Sequence, residues 1–253
     1  MLDGYIICAT PRSGSTLLCN LLASTRKTGN PNSYYHRTEI MRHWAAEWSL
    51  PGCDTMSAKE FSIAYLEATI RAGRGETNVF GLRLMREYLE GLSSLLDQIY
   101  PGLSSDVHRF ECAFGNVLYI HLTRENKLAQ AVSLAKAEQS GLWHIAPDGT
   151  EIERLGLPQD PEYDFKLIKR KLTKLEAHDA AWIEWFEQQG ITPLRVEYEI
   201  LSEDPTGTLI QIYEALGVDA QKIEAVRPGV AKLANEISLD WMRRFYADLS
   251  SAA

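Results

Sequence analysis

Apolar positions fall into short unbroken runs separated by longer periodic stretches. Tyr5-Ile6-Ile7-Cys8-Ala9 reads as a strand over about residues 4–9. It breaks at Thr10-Pro11-Arg12-Ser13-Gly14-Ser15-Thr16 and re-enters as the helix-like Leu17-Leu18-Cys19-Asn20-Leu21-Leu22, a helix over about 14–25. Val79 to Leu84 reads as a second strand, Asn116 to Leu122 as a third and Leu194 to Tyr198 as a short fourth. The capping box Ser57-Ala58-Lys59-Glu60 opens a helix to about Arg71, before Gly73 and Gly75. Further helices are predicted from Glu87 to Ile99, from Asn126 to about Gln139, from Phe165 to Gln189 and from Pro205 to Leu216. A last one covers about 239–249. Residues 141–163, rich in Gly, Pro and Asp and carrying Trp143 and His144, read as a long surface loop.

Strands alternating with helices predict an α/β fold with a mainly parallel central sheet flanked by helices. Ligands of such sheets sit beyond the carboxyl ends of the strands, where Arg12 and Arg124 both fall. The 253 residues are read as one domain, 1–253, with a helix-rich C-terminal part. A hydrophobic content of 45% supports a substantial core. The net charge of −8 argues against non-specific nucleic-acid binding, so the placement of each Arg matters more than the total. There is no basic leader and no apolar run of membrane length. Cys8, Cys19, Cys53 and Cys112 show no C-x-x-C spacing, and Cys8 and Cys19 read as buried thiols. A reducing cytoplasm is the expected compartment.

The turn between first strand and first helix carries the chemistry. Backbone N–H groups at a helix start converge on one point, with the positive end of the helix dipole behind them. Arg12 adds a fixed charge, and Ser13, Ser15 and Thr16 add hydroxyls. Such a turn suits phosphate or sulfate; the plain alternative is a connection whose Ser and Thr cap a helix. It is not a Walker loop, because Ser15 rather than Lys follows Gly14. The third strand repeats the logic: Arg124 stands at its end and Ser133 lies some two and a half turns along the next helix. Alone, these are a surface Arg and a solvent-facing Ser. Paired with the first turn, they suit a ligand bearing two separated anionic groups.

P-R-S-G-S-T-L-L after the first strand, with the strand–Arg…Ser–helix unit, resembles the sulfotransferases that use 3′-phosphoadenosine 5′-phosphosulfate (PAPS). The bacterial branch that sulfates trehalose, lipopolysaccharide and nodulation factors is the most similar. Gly29 to Tyr35 resembles its G-x-P-x-x-[FY]-[FY] loop, Phe80 to Met85 its G-x-K-L-M strand, and Leu194 to Gly217 its late strand and D-P…L-G helix. The resemblance implies a P-loop-like fold. Arg12, Ser13, Gly14, Ser15, Thr16 and Leu17 would hold the 5′-phosphosulfate, and Arg124 and Ser133 the 3′-phosphate. The stretch Lys232-Leu233-Ala234-Asn235 stands where the family's C-terminal loop closes on the nucleotide. It also implies a carbohydrate or glycolipid acceptor, adenosine 3′,5′-bisphosphate as the product, no metal, and a homodimer in some members.

The family's general base, a Glu before the aromatic pair, is replaced here by Ser33. His36 is the first substitute, by virtue of its intrinsic pKa, and Glu39 the second. Arg83 stands for the family's Lys and would orient the acceptor or touch the sulfate; a strand-end ion pair is its plainer reading. Trp182, Trp185 and Phe186 follow helical spacing and read as core, whereas Trp143 and His144 are acceptor-site candidates. Two rival functions remain: a small-molecule kinase on a related fold, and a non-catalytic nucleotide-binding relative that lost its base.

Overall fold

The computed structural model describes residues 2–51, 56–146, 148–220 and 236–251. In chain order the elements are β1 (Gly4–Ala9), α1 (Ser15–Ser24), α2 (Thr38–Glu47), α3 (Ala58–Arg74), β2 (Phe80–Met85), a 3-10 turn (Arg86–Tyr88), α4 (Leu89–Ile99), α5 (Asp106–Phe114), β3 (Val117–Thr123), α6 (Lys127–Ser140), β4 (Leu142–Ile145), β5 (Glu151–Arg154), α7 (Phe165–Gln189), β6 (Leu194–Glu197), α8 (Tyr198–Glu203), α9 (Pro205–Leu216) and α10 (Glu236–Ser251). Four strands form a parallel sheet in the order β2-β1-β3-β6.

β1 is central, and all six of its residues are buried. Side chains alternate across a strand, so β1 feeds two cores. Ile6 and Cys8 pack with Phe80, Leu82, Phe110, Trp182 and Phe186 on one side of the sheet. Tyr5, Ile7 and Ala9 pack with Leu18, Leu22, Leu209 and Ile212 on the other. A third cluster joins Leu128, Val132 and Ala135 of α6 to Ile168 and Leu175 of α7 and to Trp241 and Phe245 of α10. That cluster fixes the height of α6 above the sheet, and with it the position of Ser133. Trp182, fully buried, donates its indole N–H to the carbonyl of Ala9 at 3.0 Å, pinning α7 to the carboxyl end of β1.

The parallel sheet, the helix cap at Ser57 and the burial of Trp182, Trp185 and Phe186 match the reading from sequence. The region 141–163 does not. It contains the antiparallel hairpin β4–β5. Each strand has only four residues, and the pairing is irregular, so no alternation marks it. It is closed by tertiary bonds, from Arg154 Nη1 to the Ser140 carbonyl and from the Leu155 N–H to the Gly141 carbonyl, both 2.7 Å. The helices α2 and α5 are also additions. α5 is short and is set by Ser105, whose hydroxyl accepts the His108 N–H. The helix predicted from Glu87 starts with the 3-10 turn and becomes regular at Leu89.

Candidate functional site

The turn after β1 is held open toward its concave side. Arg12 has φ 62° and Gly14 φ 88°, both in the left-handed region. A Cβ on Gly14 would lie 2.4 Å from the Tyr198 ring, so the close approach also calls for glycine. Gly14 is the N-cap of α1 and supplies no side-chain oxygen. The first N–H groups of α1 therefore have no side-chain cap at that position. From α6, the buried Gln130 donates its amide Nε2 to Thr10 Oγ1 at 2.9 Å and to the Pro11 carbonyl at 2.7 Å. The Ser13 hydroxyl is buried without a hydrogen-bond partner among the described residues.

Arg12 and Arg124 lie side by side. Arg12 Nε donates to Ser133 Oγ at 3.0 Å, and its Nη1 donates to the Trp143 carbonyl at 2.6 Å. Arg124 Nη1 reaches the carbonyl of Arg12 at 3.3 Å, and its guanidinium lies 4.5 Å from the centre of the Tyr198 ring. Arg124 Nε is buried and unpartnered among the described residues. Burial, and then the nearby Arg124 charge, lowers Arg12 to about 10. Burial, and then Arg12, likewise lowers Lys136, one turn beyond Ser133. Cationic groups brought this close to one another favour a bound anion.

The far end of β3 is braced from α7. Lys127 Nζ lies 2.6 Å from Asp179 Oδ2, which also accepts from Thr123 Oγ1 at 2.8 Å. Burial works to raise Asp179, but His121, Lys127 and Thr123 hold its carboxyl at about 2.

On the other side of α1 the loop from Gly29 to Ser33 runs beside β2. The Arg83 N–H bonds the Asn32 carbonyl at 3.0 Å. This sets Ser33 against Arg83: Nε donates to Ser33 Oγ, and Nη1 donates to Thr16 Oγ1, both at 2.8 Å. Thr16 Oγ1 in turn lies 3.1 Å from His144 Nε2 of β4. Glu153, the cross-strand partner of His144, places Oε2 3.5 Å from the same nitrogen. Burial, then Arg12 and Arg83, lowers His144 to about 4.

His36 sits behind Arg83 with its ring 4.1 Å from that of Tyr88. Burial and the Arg37 charge lower it to about 4, with Glu87 opposing. Glu39 lies exposed in the first turn of α2. Tyr34 and Tyr35 are buried in the core, and Tyr34 donates its hydroxyl to the Asn30 carbonyl at 2.7 Å. Lys232 to Asn235 lie outside the described residues.

The structure thus brings Arg12, Ser13, Gly14, Ser15, Thr16, Leu17, Arg83, Arg124 and Ser133 around one end of the sheet. Reasoning from sequence missed Gln130, Tyr198 and Glu153. Gln130 stands at the helix position between Arg124 and Ser133 that faces the first turn, a placement only the packing of α6 reveals. Tyr198 follows the fourth strand directly, and sheet topology is needed to bring that strand beside β3. Among the described residues, no group of three His, Cys, Asp or Glu could hold a metal ion. None of their helices is long and apolar enough to cross a membrane.

The family model for the Stf0 sulphotransferase matches residues 4–248. A protein named trehalose 2-sulfotransferase from Mycolicibacterium smegmatis is 26% identical over 265 residues, covering 96% of this chain and 94% of its own. One of the same name from Mycobacterium tuberculosis is 27% identical over 262 residues, with coverage of 96% and 94%. Among solved structures, the sulfotransferase domain of a Synechococcus olefin synthase aligns with a TM-score of 0.46 at 15% identity, over 97% of this chain and 96% of that one.

Proposed function

We propose, for a chain that belongs to the Stf0 sulphotransferase family, that the sulfuryl group moves from PAPS to a hydroxyl of a carbohydrate acceptor. Trehalose is the first acceptor to try, because it is named for both relatives. The observation that carries the reading of the site is the joining of two distant segments. Arg12 bonds Ser133, and Arg124 bonds the Arg12 backbone, so two cationic groups from distant segments stand together.

The residues present suit a nucleotide with two anionic ends. The buried, unpartnered Ser13 hydroxyl and Arg124 Nε are groups that an anion would satisfy. In this reading residues 12–17 grip the 5′-phosphosulfate, and Arg124 with Ser133 grips the 3′-phosphate. Bound PAPS supplies an activated sulfuryl group with a phosphate as its leaving group. The chain's part is then positioning and charge stabilisation. Arg12 and the α1 N–H groups would meet the negative charge that grows on the departing phosphate oxygen. Arg83 holds the Thr16 hydroxyl and the Ser33 loop in place. No step in this scheme calls for a metal.

Isothermal titration with adenosine 3′,5′-bisphosphate in EDTA tests the reading. Wild type binds, and Arg12→Ala and Arg124→Ala each weaken binding by about 30-fold or more, the cost of removing one partner of a buried charge contact. Binding that is absent in wild type, or equal in all three proteins, overturns it. Transfer of labelled sulfate from PAPS to a panel of sugars that includes trehalose identifies the acceptor.

A further inference from the structure

We propose that His144 is the general base of the transfer and that Glu153 is the positioning residue that steadies its protonated form. The assignment rests on the sulfuryl-transfer reading above and names the group that takes the acceptor's proton where Ser33 cannot.

The placement of His144 carries it, beside Thr16 and Arg83 at the start of α1. Thr16 Oγ1 accepts from Arg83 Nη1 at 2.8 Å, and the guanidinium has no acceptor capacity. His144 Nε2 lies 3.1 Å from the same oxygen, which can pair with either ring tautomer through its hydrogen or its second lone pair. A base at Nε2 requires the tautomer with the ring proton on Nδ1, in which Nε2 carries the lone pair. Its lone pair looks toward the start of α1, beside the residues that would hold the phosphosulfate. The β4–β5 ladder sets His144 opposite Glu153, so the carboxylate stands 3.5 Å from that same nitrogen by construction. An acceptor hydroxyl would take the place of the Thr16 hydroxyl at Nε2, whose single lone pair then receives its proton. Burial and the charges of Arg12 and Arg83 keep the ring neutral at neutral pH, so that the lone pair is available.

The step balances without a further reactant. The acceptor oxygen forms its bond to sulfur as the bond from sulfur to the 5′-phosphate oxygen breaks, and that electron pair leaves with the phosphate. The acceptor's proton passes to Nε2, where the new N–H turns to Glu153 Oε2. The proton goes to water after the products leave.

His36 is the competitor, and its setting differs. Its ring is packed against Tyr88, and its Nδ1 is buried without a partner among the described residues. Its neighbouring charges are Arg37, Glu87 and Arg83. His144 alone of the two shares Thr16 with Arg83.

The test compares wild type with His144→Asn, His144→Gln, Glu153→Gln, Glu153→Asp and His36→Asn. Each is measured for transfer from PAPS and for affinity toward adenosine 3′,5′-bisphosphate. Loss of a general base costs about 100-fold or more in kcat. The two His144 variants are expected to show that loss while still binding the bisphosphate, which also shows that they fold. Glu153→Gln is expected to lower kcat by about tenfold and to move the acid limb of its pH profile, and Glu153→Asp to restore part of the rate. A second readout needs no acceptor: ¹⁵N spectra of the free wild-type protein at neutral pH should show Nε2 of His144 unprotonated and should change in Thr16→Val. Transfer within about threefold of wild type in either folded His144 variant overturns the assignment, as does a protonated Nε2. So does a collapse of transfer in His36→Asn while His144→Asn stays active. Failure of wild type to bind the bisphosphate overturns instead the sulfuryl-transfer reading, and the ¹⁵N spectra still decide the local arrangement.

Discussion

The turn of residues 10–17 and the flank that faces it are built on opposite plans. The turn is one contiguous piece of chain, and its shape is a matter of local backbone: left-handed φ at Arg12 and Gly14, then a helix start without a side-chain cap. The flank draws Arg124 from the end of β3, Ser133 from α6, His144 and Glu153 from the β4–β5 hairpin, and its bracing Asp179 from α7. A contiguous loop stores its specification in neighbouring residues and fails when its backbone is disturbed. An assembled flank stores it in packing and in a few charge contacts, and it fails piecemeal. Substitutions on the two sides should therefore differ in kind as well as in size.

The largest effect belongs to the turn. Gly14→Val places a β-branched side chain at φ 88° and drives its Cβ into the Tyr198 ring. A non-glycine residue in this region costs about 1–3 kcal/mol before any clash is counted. Urea unfolding should show a loss of about 3 kcal/mol, with bisphosphate affinity falling in the same variant. A change below about 0.5 kcal/mol would mean that the turn is not held by its backbone, and the contrast with the flank would go.

Asp179→Asn probes the flank at its brace. The substitution removes the ion pair with Lys127 and weakens the bond from Thr123, where side-chain exposures of 15% and 19% for Asp179 and Lys127 leave water little room to compensate. The expected loss is about 2 kcal/mol by urea unfolding, with bisphosphate affinity only modestly changed. The wild-type carboxyl is held low, at about 2, against an ordinary value of 3.8. An acid with a depressed folded pKa stabilises the fold above its unfolded value and loses that contribution as pH falls through the folded one. The difference between wild type and Asp179→Asn should therefore shrink as pH falls from about 4 toward 2.

A smaller effect separates the two sides by protons. His144 of the flank is lowered to about 4 from 6.5, by burial, Arg12 and Arg83. Between those values the unfolded chain binds more protons than the folded one, so this contribution to stability weakens as pH falls from 6.5 to about 4. An anion held between Arg12 and Arg83 would offset their charges and raise His144. Titration of the bisphosphate near pH 5, in two buffers of different ionisation enthalpy, should show uptake of a fraction of a proton. That uptake should be missing in His144→Asn. Equal uptake in both proteins would assign the proton elsewhere, the ligand's own phosphates included.

The same division explains what could be read in advance. β1, β3 and the anion turn announce themselves in consecutive residues, because an apolar run and a Ser/Gly break are local signals. Arg124 and Ser133 were legible as a pair only by their spacing, and their meeting with Arg12 depends on how α6 packs on α7 and α10. The hairpin was read as a loop because four-residue strands, held by Arg154 and the Gly141 carbonyl, leave no alternation in the sequence. Glu153 was invisible for the same reason: its partner is defined by a ladder rather than by a motif. Tyr34 and Tyr35, which carry the resemblance of the Gly29 to Tyr35 loop, are buried in the core.

Glu39→Gln should have the smallest effect, and it sharpens the contrast from the negative side. Sequence spacing alone puts Glu39 beside His36 as a possible proton acceptor, because the two lie in one short stretch of chain. Helix α2 turns the residue outward into solvent, where its charge sits in the first turn and favours the helix dipole by a few tenths of a kcal/mol. Steady-state transfer in Glu39→Gln should stay within about twofold of wild type, with a barely measurable loss of stability. A drop of about 100-fold would place a carboxylate from the loop side at the reacting hydroxyl, and the working face of the site would then lie with the contiguous chain instead of the assembled flank.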